Sequence, residues 1–122
     1  MPQRRYEAFR KDIKIERIEI FPVKYPTVMR FKFFEGPTSG GGRPAILIRI
    51  TASDGTIGWG ESVPIPRWGC ETYESAINTL EHYLIPIITG MNPFDVEDIH
   101  KAMNVEVANC FSTCAPITKA GI

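Results

Sequence analysis

The run Ile46-Leu47-Ile48-Arg49-Ile50-Thr51 alternates with the two-residue period of a half-buried antiparallel strand. Ile46, Ile48 and Ile50 point one way, and Leu47, Arg49 and Thr51 the other. Ser53-Asp54-Gly55 follows, and because Asp and Gly tolerate the positive φ angles of hairpin turns, Thr56-Ile57-Gly58-Trp59-Gly60-Glu61 is predicted to return as a directly paired strand. Upstream, Lys14 to Val23 carries Ile18, Ile20, Phe21 and Val23, the β-branched and aromatic content of another strand, with Pro22 marking an edge or a strand end.

Beyond a proline-rich loop the period changes from two to nearly four. Tyr73, Ile77, Leu80, Leu84 and Ile87 fall on one helical face, Thr72 is placed to cap its start, and Pro86 and Gly90 close it. Asn92-Pro93 restarts a helix with a capping residue and a proline at the first helical position, and Val96, Ile99 and Met103 mark its buried side. The last segment, Thr113 to Ile122, reads as a helix start with Pro116 in its first turn and Ile122 on a buried face. So short a helix has almost no stability of its own, and the pattern looks cut at the C-terminus.

A chain of 122 residues, 43% hydrophobic and 23% charged, builds one core. Its 14 Lys+Arg balance 14 Asp+Glu, which removes the electrostatic footprint of a nucleic-acid binder. No apolar run approaches the roughly 18 residues of a membrane span. The cysteines, Cys70, Cys110 and Cys114, make an odd set that fits a reduced, cytoplasmic setting. Met1 to Arg10 lacks the apolar stretch of a signal peptide and reads as a solvated arm.

Two long connections hold most of the chemistry on offer. Pro26 to Arg43 contains Arg30, Phe31, Lys32, Phe33 and Phe34 and then a glycine-rich run; Ser62 to Glu71 contains Arg67-Trp68. Gly40-Gly41-Gly42 lacks the flanking strand, helix and Gly-Lys-Ser/Thr of a phosphate-binding loop and reads as a flexible hinge. Cys110 and Cys114, with His82 and His100 on other elements, do not have structural-zinc spacing. Glu61 is the most interesting carboxylate, although a strand-end glutamate bonded to nearby backbone N–H groups explains it more simply than catalysis. There is no Gly-x-Ser-x-Gly elbow. The loop aromatics can close over a small molecule while a cation meets its carboxylate, or the phenylalanines can pack on the helices; both readings stay open.

Several strings together resemble the N-terminal capping domain of the enolase superfamily, in its mandelate racemase and muconate lactonizing enzyme branch. They are Lys14-Ile-Glu-Arg-Ile-Glu, Ile46-Leu-Ile-Arg-Ile-Thr, Ser53-Asp-Gly-Thr-Ile-Gly-Trp-Gly-Glu61, Tyr73-Glu-Ser, Leu84-Ile-Pro-Ile-Ile-Thr-Gly90, Asn92-Pro-Phe and Ala115-Pro-Ile-Thr-Lys-Ala-Gly-Ile122. The resemblance implies an α+β fold: a three-stranded antiparallel meander followed by a small helical bundle. An arm at 1–13 would precede the cap at 14–114, and 115–122 would begin a helix leading into a TIM-like barrel that this sequence does not contain.

In such enzymes the barrel holds Mg2+ on carboxylates and carries the lysines or histidines that remove a proton α to a substrate carboxylate. The resemblance therefore assigns no catalytic and no metal-binding residue within 1–122. What it carries over is the cap's role, in which two mobile loops close over the barrel mouth and help choose a small carboxylate substrate. The candidates are Arg30, Lys32 or Arg67 as charge partners and Phe34, Trp68 and Tyr73 as walls. The whole enzyme would be a homo-oligomeric isomerase or lyase, catalysing racemisation, epimerisation, cycloisomerisation or dehydration, nearest to muconate cycloisomerases or dipeptide epimerases. The chain alone would be inactive and self-associating. The rival expectation is a stand-alone small-molecule-binding or protein-interaction module.

Overall fold

A computed structural model describes residues 12–28, 42–108 and 114–122. The alternating strand lies at the centre of an antiparallel meander in which β1 (Ile15–Pro26), β2 (Gly42–Ala52) and β3 (Ile57–Ser62) are neighbours in that order. Ile18 pairs with Ile50, Ile20 with Ile48 and Pro22 with Ile46, which stacks the isoleucines on one face. Pro22 does not end its strand, because β1 is an edge and a missing N–H can be spared there. In the β2–β3 turn the Thr56 N–H donates to the Asp54 carboxylate at 3.0 Å and the Gly55 N–H to the Ala52 carbonyl at 2.9 Å. The first of these bonds holds the Asp54 carboxyl below its usual range.

On the outer face, Arg49 is drawn against the sheet from several sides. Its Nε and Nη2 donate to Glu19 at 2.9 and 2.7 Å, and its guanidinium lies 5.3 Å from the Phe21 ring centre and 5.6 Å from that of Trp59. The aliphatic stem of Arg49 and the two rings thus cover the middle of β2, whose outer face no helix covers among the described residues.

The inner face is covered by a helical stretch that begins at Thr72. The Thr72 hydroxyl accepts from the Ser75 N–H and the Ser75 hydroxyl lies 2.9 Å from the Thr72 N–H, a reciprocal cap. After a short turn α1 (Pro66–Gly69), the stretch comprises α2 (Tyr73–Thr79), a π-helical turn (Leu80–Leu84) and α3 (Ile85–Ile88). The residues fully buried on it are Ala76, Leu80, Leu84 and Ile88, while Tyr73, Ile77 and Ile87 flank them half-buried. An α-helix turns about 100° per residue, so a stripe repeating every fourth residue would drift about 40° at each step. The wider π turn takes up that drift. There the Ile85 N–H bonds back to the Leu80 carbonyl, and Pro86, which follows, has no N–H for the His82 carbonyl. Pro86 thus lies within the helical stretch rather than closing it, and the stop comes at Thr89, which is extended, and Gly90, at φ +91°.

The chain then pairs with the start of β1: the Gly90 N–H donates to the Ile15 carbonyl and the Ile15 N–H to the Met91 carbonyl, both at 2.8 Å. Asn92 and Pro93 form a turn, not a helix start. The Asp95 N–H bonds to the Asn92 carbonyl and the Phe94 N–H to the Asn92 side chain, and α4 runs from Val96 to Glu106. Ile99 and Met103 are buried as expected, but Val96, in the first turn, is exposed.

The final helix, α5 (Pro116–Ala120), packs on β3. A Cβ on Gly60 would lie 1.9 Å from the Gly121 carbonyl oxygen, so the two backbones meet where no side chain fits. Gly60→Ala is expected to destabilise the chain by about 2 kcal/mol or more, read as a fall in the urea midpoint at unchanged m-value. Gly58→Ala, on the same strand with nothing within 4 Å of its added carbon, should leave the midpoint much closer to wild type.

Candidate functional site

The sheet sends both long connections out of one end. β1 finishes where Pro26 pairs with Gly42, β3 finishes where Ser62 pairs with Ile46, and the Ser53–Thr56 turn lies at the opposite end. The connection after β3 is the better described of the two. Pro64 is buried, Pro66 opens α1 at a position where its missing N–H is not needed, and the Trp68 and Gly69 N–H groups both bond to the Ile65 carbonyl. Cys70 ends the turn in the left-handed region at φ +59°. This geometry leaves Arg67 and Trp68 exposed, with Trp68 retaining 70% of its surface.

Tyr73 stands a few residues on, half-buried and packed partly against the core. Arg67 and Trp68 are thus adjacent on one exposed turn, and Tyr73 opens the next helix. Arg30, Lys32 and Phe34 lie outside the described residues, as does Cys110. Glu61 is exposed, and its carboxylate accepts from the Tyr25 hydroxyl at 3.3 Å across the outer face.

A buried polar cluster lies beneath the exposed turn, and sequence reasoning missed it. Glu71, 7% exposed, accepts from the Ile117 N–H at 2.8 Å, from the Thr118 N–H at 2.9 Å and from the Thr118 hydroxyl at 2.6 Å. The Ser62 hydroxyl donates to the Ile117 carbonyl at 2.8 Å. Helix starts leave backbone N–H groups without intrahelical partners. The residue before α5 is Ala115, whose side chain cannot accept, and with Thr118 buried the acceptor comes from Glu71. An Ala-Pro helix start with no acceptor of its own is the signal in the sequence that pointed to one elsewhere.

Lys119, on the same helix, is 9% exposed and donates to the Asn104 side chain at 3.0 Å and to the Val107 carbonyl at 2.6 Å, just past the end of α4. Burial pushes its ammonium below the usual lysine range, with the Cys114 and Glu71 charges opposing that shift. These contacts hold in place a helix too short to persist alone.

A cavity of about 360 Å3 opens at the other end of the sheet, between the β2–β3 turn and α4. Ile50, Ile57, Val96, Met103 and Ile122 give it an apolar lining, which also includes His100. Among the described residues no three His, Cys, Asp or Glu side chains gather to hold a metal ion. No helix is long and apolar enough to cross a membrane, among the described residues.

A three-stranded meander backed by helices, with a docked C-terminal turn, is the fold of the enolase-superfamily N-terminal domain. More narrowly, the chain belongs to the mandelate racemase/muconate lactonizing enzyme family, whose N-terminal domain matches residues 18–122. It is similar to the N-succinyl-L-Arg/Lys racemase of Bacillus cereus, 33% identical over 92 residues that make up 75% of this chain and 24% of the racemase. The solved structure of that racemase superimposes with a TM-score of 0.74 at 29% identity, covering 88% of this chain and 27% of the racemase chain. Muconate cycloisomerase 1 of Rhodococcus opacus is 30% identical over 100 residues, 80% of this chain and 26% of that enzyme. The dipeptide epimerase of Enterococcus faecalis, solved with Mg and the dipeptide L-Leu-L-Tyr, matches with a TM-score of 0.74 at 27% identity, over 88% of this chain and 28% of its own. The chain spans about a quarter of the length of the curated relatives it matches.

The buried lysine sets a pH dependence. A Lys whose folded pKa is lowered binds its proton less tightly when folded, so it penalises folding at neutral pH and the penalty lifts as pH rises toward the ordinary value of 10.5. The neutral amine keeps two N–H donors for Asn104 and Val107. The stability difference between wild type and Lys119→Met is expected to shift in favour of wild type from pH 7 to pH 10. Paired urea titrations would show it, and a flat difference would refute it.

Proposed function

We propose that this chain is the substrate-recognition cap of an enolase-superfamily racemase, epimerase or cycloisomerase acting on a small carboxylate. The observation that carries this reading is the exposed Arg67-Trp68 turn, standing on a buried base at the end of the sheet from which both long loops leave. The relatives' substrates support the carboxylate class, since a dipeptide and an N-succinyl amino acid each carry one. Arg67 supplies a cation for that group and Trp68 a wall that excludes water. Arg30, Lys32 and Phe34 on the first loop would complete the enclosure, and Tyr73 would close its base.

The chemistry belongs to a barrel domain outside residues 1–122. Removing a proton α to a carboxylate builds negative charge on its oxygens, and a Mg2+ ion held by that barrel would neutralise it. The whole enzyme is read as a homo-oligomer of the cytoplasm, a compartment in which free thiols such as Cys70 and Cys114 persist. The cap selects and shields, and does no chemistry alone.

Two outcomes are expected. The purified 122-residue chain should catalyse no Mg2+-dependent exchange of the α-proton of L-Leu-L-Tyr or N-succinyl-L-arginine in D2O, followed by proton NMR; exchange above the uncatalysed rate would overturn the division of labour. In the full enzyme, Arg67→Ala should raise KM about tenfold or more while kcat stays within about threefold, the signature of lost binding common to ground and transition states. Unchanged KM in both Arg67→Ala and Trp68→Ala would remove the turn from the site.

A further inference from the structure

We infer that Glu71 and Ser62 are positioning residues that make the Arg67-Trp68 turn a fixed wall and not a closing lid; this rests on the reading of that turn as substrate-facing. Both ends of the loop are fastened to one pair of residues. At its start the Ser62 hydroxyl donates to the Ile117 carbonyl, and at its end the Glu71 carboxylate accepts both the Ile117 and Thr118 N–H groups and the Thr118 hydroxyl. Between these anchors Gly69 lies so close to Ile117 that an added Cβ would sit 2.5 Å from its Cδ1.

The anchors are dry. Ser62 and Thr118 are each 1% exposed and Glu71 7%, so water does not compete for the bonds. Swinging the loop away would break the three bonds to the Glu71 carboxylate together and open its contact with Ile117, so no single bond can be exchanged for water while the others stay made. The arrangement is therefore closed or broken, with little between. Ser62, Gly69 and Glu71 thus tie the loop to Ile117 and Thr118 at its start, its middle and its end. The loop's placement is built into the cap before any substrate arrives.

The test uses Trp68 as reporter in a Trp59→Phe background, where its fluorescence anisotropy decay and the hydrogen exchange of the Arg67–Cys70, Ile117 and Thr118 amides are compared with and without Glu71→Gln. Gln keeps the shape but sets an N–H2 against a backbone N–H. Exchange is expected to rise about tenfold or more at Ile117, Thr118 and Arg67–Cys70 together. The fast component of the Trp68 decay should grow, while exchange at Ile46 and Ile48 stays unchanged.

If Ile117 and Thr118 lose protection and Arg67–Cys70 and Trp68 do not respond, the inference is overturned and the functional reading stands. If the coupled response appears but Arg67→Ala and Trp68→Ala leave KM unchanged, the clasp holds and the functional reading fails, taking with it the clasp's role as part of a substrate wall. Should Glu71→Gln not fold, Ser62→Ala removes the other anchor alone; a smaller response in the same coupled pattern supports the inference, and an uncoupled one overturns it.

Discussion

A carboxylate buried opposite two backbone N–H groups has to be paired completely or the segment that carries it will not stay buried. Glu71 meets that condition only because β3 and α5 approach closely enough to bring Ile117 and Thr118 within reach, and that approach depends on Gly60 and Gly121 lying backbone to backbone. The loop after β3, the last strand and the C-terminal turn are therefore one structural unit. Its remaining polar partners follow from the same burial: Ser62 satisfies the Ile117 carbonyl, and Lys119 satisfies the Asn104 side chain and the Val107 carbonyl.

The sheet was the most legible part of the fold, because a strand buried on one face has to alternate. Ile46 and Ile48 are fully buried and the Ser53-Asp54-Gly55 reversal stands where the composition puts it. The helices were legible in kind but not in detail. Proline is read locally as a stop, yet Pro86 sits where a π turn can absorb its missing donor and where the four-residue stripe of Ala76, Leu80, Leu84 and Ile88 profits from the wider turn. Asn92-Pro93 has the composition of a helix start and also of a tight turn. Tertiary pairing of Gly90 and Met91 with Ile15 is consistent with the turn, and leaves Val96 outside the core.

Site legibility divides along the same line. Arg67 and Trp68 stood out because a cation beside a large aromatic ring in a proline-bounded loop has no core to enter, and both are exposed. Glu71, two residues before a helix, carries no local mark of its importance, since its partners lie 46 and 47 positions away in sequence. What could be read was the converse, a helix start with no acceptor of its own. Carboxylates that cap distant helices are found by asking which backbone donors lack a local partner, not by scanning for acids.

Residues 115–122 also give the two ends of the domain a common support. Ile117 sits beneath the loop that carries Arg67 and Trp68, Gly121 crosses Gly60 midway, and Ile122 reaches the wall of the apolar cavity at the turn end of the sheet. A five-residue helix is ordinarily too short to transmit anything, because it frays. Here it is bonded at its first turn to Glu71, along its side to the C-terminal end of α4 through Lys119, and sterically to β3 through the paired glycines. Three attachments, two to its backbone and one through the Lys119 side chain, therefore offset the fraying expected of so short a helix, and the same segment that anchors the loop also carries Ile122 to the cavity wall.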